Sequence, residues 1–319
     1  MRIIGFPLIL MCGFSLLLHA GVWFSVLPAP IPILDADRTI LLHQASMSRS
    51  ERQADTLLIG DSSCMMNVSA RLLSELLPGR RQVLNLGTLS YLDLASFAGF
   101  VRNYVSANPE RLRTIVLLMH PEALRRVAPS DYHLDVLRHF YAGKDFCSPT
   151  ASSWICAMGS EVFKGRIWSR IIPNPLDGAF GLKYGFTSGL RSFLLQQNGS
   201  LIDPQEYDGT VVRGSAEYRL ATQIEAGSRR FRLAVPADVR FFVGITPVPE
   251  GFVSPNYPEA HARMLNQWAE WLRADAVLSD LPPVLPDEAF ATKTHLNEQA
   301  RSVYTESVAQ AVVKHLVIE

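Results

Sequence analysis

The sequence predicts an α/β fold in which a mostly parallel β-sheet lies between layers of helices. Three short apolar runs predict buried strands, at Thr56–Ile59, Gln82–Gly87 and Thr114–Met119. Stretches with apolar residues at helical spacing lie between them. Strands this apolar are typical of a sheet buried on both faces, and their alternation with helices favours parallel pairing. A fourth run, Val239–Ile245, extends the predicted sheet later in the chain.

The composition is that of a folded domain with a large core. Of the 319 residues, 48% are hydrophobic and 19% are charged, which is enough apolar surface for one large domain. Thirty basic and thirty acidic side chains give a formal net charge of zero. We therefore expect no general attraction to nucleic acid. The sequence has no phosphate-binding glycine loop and no paired Cys-x-x-Cys motif, so we expect no cofactor and no metal.

Residues 1–27 are predicted to form a signal anchor, a single transmembrane helix. The stretch from Ile3 to Leu27 is almost uninterrupted apolar sequence, and roughly 20 such residues suffice to cross a bilayer. Bulky Trp23 and Phe24 disfavour cleavage, although a signal peptide is the alternative. Arg2 precedes the span and no basic excess follows it, which predicts a cytoplasmic N-terminus. We expect a single-pass protein of the bacterial inner membrane, with its main domain in the periplasm or extracytoplasmic space.

The rest of the chain divides into a linker and one domain. Residues 28–54 mix prolines with polar residues and predict a linker that lifts the domain off the membrane. Residues 55–319 are predicted to form the domain. Between about 127 and 234 the alternation of strands and helices stops, which predicts a long insertion acting as a lid or cleft wall. The chain ends in a predicted helix, Leu296–Val317.

The predicted insertion contains two cysteines and several aromatic residues. In an oxidising compartment Cys147 and Cys156 would form a disulfide, with two free thiols as the alternative. Trp154, Trp168 and Tyr184 are candidates for stacking on sugar rings.

Two distant segments carry a candidate nucleophile and a candidate base. Gly60-Asp61-Ser62-Ser63 follows the first predicted strand, and Thr294-His295-Leu296-Asn297 leads into the last predicted helix. A serine hydroxyl needs a neighbouring base to remove its proton, and imidazole has a suitable pKa. We therefore predict that Ser62 and His295 meet at one site. Ligands of parallel sheets bind beyond the carboxyl ends of the strands, which is where Ser62 and the later Asn85-Leu86-Gly87 segment fall.

These segments, and their order along the chain, resemble the conserved blocks of the SGNH/GDSL hydrolase superfamily. The likeness is greatest to its membrane-anchored bacterial branch, related to polysaccharide O-acetylation proteins of the alginate type. It covers roughly residues 55–126 and 238–319, and it implies a three-layer, flavodoxin-like SGNH fold.

The resemblance also implies a role for each matching residue. Ser62, directly after the Asp of the first block, would be the nucleophile, and His295 of the last block would be the general base. The amides of Ser62 and Gly87, together with Asn85 of the second block, would form the oxyanion hole.

Two positions depart from the family pattern. Thr292 stands where the family has an aspartate three residues before its histidine. Asp287, Glu288 and Thr292 itself are the candidates for orienting His295, and a Ser-His dyad is the alternative. After the third predicted strand, His120 stands in place of the family's asparagine and is a candidate oxyanion donor.

The resemblance implies an extracytoplasmic serine acyl-ester enzyme. Its substrate would be an exported polysaccharide or envelope glycan, and its reaction that of an O-acetyltransferase or an esterase. A membrane-bound O-acyltransferase is the implied partner. The two departures favour an alternative, a catalytically inactive SGNH-like subunit that binds glycan or acts as a scaffold in an envelope complex.

Overall fold

The computed structural model describes residues 36–79, 81–89, 91–125, 129–142, 176, 178–206 and 218–316, with isolated residues between 5 and 24. The strands in these residues are β1 (Thr56–Gly60), β2 (Val83–Asn85), β3 (Thr114–Met119), β4 (Arg240–Ile245), β5 (Val248–Pro249), β6 (Ala276–Val277) and β7 (Val284–Leu285). Five of them form a sheet in the order β2-β1-β3-β4-β6, and β5 pairs with β7. All of these pairs are parallel.

The helices of the described residues are α1 (Ala36–Ser48), α2 (Ser62–Asn67), α3 (Ala70–Leu76), α4 (Leu94–Ala107), α5 (Pro121–Leu124), α6 (Asp131–Tyr141), α7 (Gly178–Tyr184), α8 (Thr187–Gln196), α9 (Thr222–Arg232), α10 (Tyr257–Leu272) and α11 (Glu298–Leu316). Two short 3₁₀ turns span Glu250–Phe252 and Asp287–Ala289.

The sheet is buried on both faces because alternate residues of each strand point to opposite sides. Leu57 and Ile59 of β1 pack in a core that includes residues of α4, α9 and α10. Leu58 packs in a second core with residues of α3 and α11. The predicted α/β architecture with a mostly parallel sheet is therefore confirmed, and the sheet lies between two helical layers.

The strand order places a crevice between β1 and β3. β2 pairs with one edge of β1, whereas the later strands continue from its other edge. Ligands of such sheets bind at this change of direction, beyond the carboxyl ends of the strands. Gly60 ends β1 with a φ of 153°, and a Cβ there would lie 1.7 Å from the Leu118 carbonyl oxygen. Only glycine permits this close approach. After Gly60 the chain turns, and the turn leads to Ser62.

The predicted linker over 28–54 is wrong in its second half, because α1 is part of the folded domain. Ile40 of this helix is fully buried. The buried Gln44 side chain donates hydrogen bonds to the carbonyl oxygens of Gly87 and Gly199, at 2.6 and 2.9 Å. The prolines and polar residues of 28–54 favoured a linker in the sequence analysis, but the structure has a helix there that holds the loops around the crevice.

The predicted insertion over 127–234 also needs correction, because much of it belongs to the main domain. Phe231 of α9 is fully buried and joins the same core as α4 and α10. Tyr184 of α7 is buried, and its hydroxyl donates to the Ile202 carbonyl oxygen at 2.6 Å. The Tyr184 ring is therefore part of a core and is not exposed for sugar stacking.

Several predictions fall on residues outside the described ranges. They concern Cys147, Cys156, Trp154, Trp168 and most of the apolar stretch within 1–27. Within the part of the chain that the structure describes, none of the helices combines the length and apolarity needed to cross a bilayer.

Candidate active site

Three side chains form a continuous hydrogen-bonded chain in the crevice. The Ser62 Oγ lies 2.9 Å from the His295 Nε2, and the His295 Nδ1 lies 2.6 Å from the Asp203 Oδ2. The His295 side chain is 15% exposed and that of Asp203 only 3%. Because a carboxylate only accepts, the ring carries its proton on Nδ1, and Nε2 accepts from the Ser62 hydroxyl. This is the arrangement that activates a serine nucleophile.

The turn that presents Ser62 is held by the buried carboxylate of Asp61. Asp61 caps α2 by accepting hydrogen bonds from the Ser63 amide at 3.0 Å and the Ser63 hydroxyl at 2.6 Å. Its other oxygen accepts from the His120 amide at 2.9 Å. Burial raises the pKa of Asp61 in spite of these hydrogen bonds. The carboxylate thus joins the ends of β1 and β3 on either side of the crevice.

Ser63, the neighbour of Ser62, is fixed inside the protein. It is fully buried, and its hydroxyl accepts a hydrogen bond from the Thr246 hydroxyl at 2.8 Å while donating to Asp61. Ser62 instead lines the cavity with His295. The two adjacent serines therefore have different environments, and only Ser62 is in contact with an imidazole.

The loop that carries His295 is clamped by Asn67 at the end of α2. The Asn67 side chain accepts from the Leu296 amide at 2.8 Å and donates to the Thr294 carbonyl oxygen at 3.3 Å. It therefore holds the backbone on both sides of His295. Because α2 begins at Ser62, one short helix sets the positions of both the serine and the histidine.

Asp203 lies on an extended segment that begins at the Asn198-Gly199 turn. The Asn85 amide donates to the Asn198 carbonyl oxygen at 2.8 Å, and the Leu201 amide donates to the Met65 carbonyl oxygen at 3.0 Å. Gly199 has a φ of 85°, and a Cβ there would lie 1.9 Å from the Asn85 carbonyl oxygen. The segment is therefore bound tightly beside β2 before it reaches Asp203.

The structure does not bring the three predicted orienting residues to the His295 ring. Asp287 accepts a hydrogen bond from the Gly251 amide at 2.9 Å, and the Glu288 carbonyl oxygen accepts from the Asn297 side chain at 2.7 Å. The Thr292 hydroxyl accepts from the His295 backbone amide at 3.2 Å, so this residue supports the loop and not the imidazole. The carboxylate at Nδ1 is that of Asp203.

Two of the predicted oxyanion groups, Asn85 and Gly87, are bonded to each other. The Gly87 amide donates to the Asn85 Oδ1 at 2.8 Å. The Asn85 Nδ2 donates to the Cys64 carbonyl oxygen at 3.0 Å and to the Ser200 hydroxyl at 3.1 Å. Neither residue is among those that line the cavity around Ser62. Their observed role is to join β2, α2 and the segment that leads to Asp203.

His120 lines the cavity in a fixed orientation. It follows β3 and is 3% exposed. Its Nδ1 accepts a hydrogen bond from the Glu122 amide at 3.1 Å, so the neutral ring carries its proton on Nε2. His120 and Ser62 are both cavity-lining residues. The site thus includes a second imidazole, with a donor tautomer, beside the serine.

The cavity over Ser62 has a volume of about 390 Å³, which falls in the range of small-molecule sites. Its apolar lining comes from several elements and includes Ile40, Met66, Leu89, Ala123 and Phe180. Its polar lining includes Asp37, Tyr91, Glu122, Gln205, Lys293 and Thr294. A space of this size admits an acyl group together with part of an alcohol or a sugar.

No protein-family model matches the chain, and no curated protein matches it. The functional conclusion therefore rests on the geometry and on the sequence segments that produce it.

Asp203 is the site residue that the sequence reasoning missed. It lies 92 positions before His295, in a region that has no regular hydrophobic period. The local signal is an Asn198-Gly199 turn followed by Leu201-Ile202 and then the aspartate. This pattern indicates a short buried extended segment, but it does not indicate which partner the carboxylate meets.

Proposed function

We propose that this protein is an SGNH-type serine acyl-ester enzyme that acts outside the cytoplasmic membrane. Its reaction is acyl transfer to, or hydrolysis of esters on, an exported polysaccharide or envelope glycan. The observation that supports this most is the hydrogen-bonded chain from Ser62 through His295 to Asp203. The family pattern has an aspartate three residues before its histidine, and here Asp203, from a different part of the chain, supplies the carboxylate instead.

In the first half of the reaction Ser62 becomes acylated. The His295 Nε2 removes the hydroxyl proton as the Ser62 Oγ attacks the ester carbonyl carbon. Asp203 keeps the imidazole in the required tautomer and stabilises the imidazolium that forms. When the tetrahedral intermediate collapses, His295 returns the proton to the leaving alcohol, and the acyl group remains on Ser62.

The oxyanion of the intermediate needs hydrogen-bond donors in the cavity. The Ser62 amide opens α2, where helix geometry leaves an N–H group without an intrahelical acceptor. The second donor is the His120 Nε2–H, because Asn85 and Gly87 are bonded to each other. A preorganised donor of this kind contributes roughly 3 kcal/mol to transition-state stabilisation.

In the second half an acceptor hydroxyl attacks the acyl-serine, with His295 as base, and regenerates Ser62. Water as acceptor gives hydrolysis and a sugar hydroxyl gives transfer. We favour transfer, because the apolar stretch within 1–27 fits a membrane anchor that would place the domain beside a membrane-bound O-acyltransferase. That protein would export the acyl groups.

The scaffold alternative loses one of the two departures that favour it. Asp203 supplies a carboxylate at 2.6 Å from the imidazole, which offsets the absence of an aspartate at position 292. Binding of glycan without chemistry would not require this chain of hydrogen bonds.

Turnover of an activated acetyl ester tests the proposal. We expect the full-length protein to hydrolyse p-nitrophenyl acetate with an initial burst, and Ser62→Ala to lose the burst and the turnover. Ser63→Ala is the matched control, because the Ser63 hydroxyl is hydrogen-bonded to Asp61 and Thr246 and not to His295, and it should keep the burst. Turnover retained by Ser62→Ala would refute the proposed function. Transfer is then separated from hydrolysis by adding oligosaccharide acceptors and measuring acetylated sugar by mass spectrometry.

A further inference from the structure

The N-terminal end of α1 lies at the active-site cavity, and the other end of the helix lies away from it. Asp37 and Ile40, in the first turns of the helix, line the same cavity as Ser62. Met47, near its other end, lines a separate surface cavity with Arg52 and Ala107. The chain therefore enters the domain from the side on which the active-site cavity lies.

Only eight residues, 28–35, separate Leu27 from the start of α1. A chain of this length reaches at most about 30 Å when fully extended, and three of the eight are prolines. The apolar residues before it are not packed into the domain where they are described, since Phe6, Ile9 and Leu17 are each at least 70% exposed. If the stretch within 1–27 spans a bilayer, the cavity lies close to the surface of that bilayer.

An exposed apolar surface lies on this side of the domain, on α7 and the start of α8. Leu182 is 92% exposed and Phe186 is 43% exposed. Phe180 on the same helix lines the cavity and packs in the same cluster as Ala36, the first residue of α1. The surface therefore adjoins both the cavity and the point where the N-terminal segment joins the domain.

The charge of these two helices suits an anionic membrane. Residues 178–196 contain Lys183 and Arg191 and no acidic residue, although Glu298 of α11 lies 3.9 Å from Lys183 and offsets part of this charge. Basic groups next to exposed apolar side chains are typical of surfaces that lie on anionic headgroups, with the apolar groups entering the acyl boundary.

We propose that the surface formed by Leu182, Phe186, Lys183 and Arg191 docks on the anionic bilayer in which the N-terminal segment is embedded. Docking holds the Ser62 cavity at the membrane interface, so that the enzyme takes its acyl group from a donor presented there. This inference rests on the proposed function for the acyl chemistry and for the membrane anchor. The docking itself involves neither Ser62 nor His295.

Photocrosslinking of the full-length protein tests the docking. A benzophenone amino acid is placed at position 182 and, in a second sample, at position 233. Leu233 is the matched control, because it is 87% exposed but follows α9 on the approach to the amino end of β4. Both samples are reconstituted in vesicles of phosphatidylethanolamine and phosphatidylglycerol and irradiated, and lipid adducts are measured by mass spectrometry.

We expect the lipid adduct at position 182 to exceed that at position 233 by at least about tenfold, because only the former enters the interface. Equal adducts at the two positions, or protein adducts at position 182 without lipid, would overturn the proposal. Fluorophosphonate labelling of Ser62 in the same vesicles distinguishes the two claims. Labelling without a lipid adduct refutes only the docking, and a lipid adduct without labelling refutes only the proposed chemistry.

A second experiment measures the consequence for activity. A flexible insert of about 20 Gly and Ser residues between Pro32 and Ile33 loosens the tether, and Leu182→Ser with Phe186→Ser removes the apolar contacts. Each change should reduce hydrolysis of a vesicle-embedded ester several-fold and leave that of soluble p-nitrophenyl acetate unchanged. Leu233→Ser should change neither rate. Full activity of the two altered proteins on the embedded ester would contradict the proposal.

Discussion

The Asp203 Oδ2 lies 2.6 Å from the His295 Nδ1 although 92 residues separate the two in the chain. The contact depends on two independent sets of hydrogen bonds. Asn67 holds the loop around His295, and the Asn85 amide binds the segment that leads to Asp203. The orientation of the imidazole thus depends on contacts from several segments around the crevice.

Replacing Asp203 by Asn should lower kcat for p-nitrophenyl acetate by about 10³–10⁴-fold, because an amide favours the wrong imidazole tautomer. Asp287→Asn is the matched control, since Asp287 contacts the Gly251 amide and not the ring. Its kcat should stay within about twofold of the unchanged protein. Circular dichroism melting of both variants checks that they fold. An equal loss in both variants would contradict the assignment of Asp203.

Replacing His120 by Ala should lower kcat by about 10²-fold with a smaller change in KM, because the oxyanion donor acts in the transition state. His120→Gln retains an N–H donor of similar reach and should recover part of the loss. His120→Asn should not recover the lost kcat. The shorter Asn side chain reaches only the position of Nδ1, which is an acceptor, and not the position of the Nε2–H donor. Unchanged kcat in His120→Ala would exclude this residue from the oxyanion site.

Asn85→Ala should act mainly on stability, because the Gly87 amide and the Cys64 carbonyl would lose their buried partner. We expect the free energy of unfolding in urea to fall by about 2 kcal/mol or more. The family resemblance implies a different result, a loss of kcat near 10²-fold with little change in stability. Urea titration together with kcat at a temperature well below the melting point separates the two roles.

The buried His261 should make the protein less stable in mild acid. Burial lowers its pKa from 6.5 to about 4. Because the unfolded chain binds the proton more tightly, the folded state is favoured above pH 6.5, and this contribution is lost as the pH falls toward 4. The loss amounts to about 2–3 kcal/mol. Urea titrations at pH 7 and pH 4.5 should show a smaller pH effect in His261→Gln than in the unchanged protein, and an equal pH effect in both proteins would contradict this role of His261.

The sequence was sufficient for four of the seven described strands, β1 to β4, and for two of the three residues in the hydrogen-bonded chain. The run Thr114–Met119 is buried on both faces, and its apolar pattern predicted its limits correctly. The contact between Ser62 and His295 was predicted because a serine hydroxyl needs a neighbouring base and because both segments match the family pattern. Helix α1 was missed because prolines and polar residues over 28–54 favour a linker, and because its packing involves loops that are distant in the chain.

The remaining parts of the site depend on tertiary contacts that no local pattern shows. Asp203 reaches His295 only because Gly199 allows close approach to β2. Asn85 and Gly87 have the residue types of oxyanion donors, but the Gly87 amide is 2.8 Å from the Asn85 Oδ1. Which acceptor an amide meets is decided by backbone geometry.

Mass spectrometry after brief exposure to a fluorophosphonate tests the central claim most directly, because the reagent reacts with an activated serine. The full-length protein, Ser62→Ala, Ser63→Ala and Asp203→Asn are compared at equal times. Our account predicts one adduct, located on Ser62, which is absent in Ser62→Ala, still formed on Ser62 in Ser63→Ala and formed far more slowly in Asp203→Asn. An adduct on another residue, or no adduct on the folded protein, would contradict it.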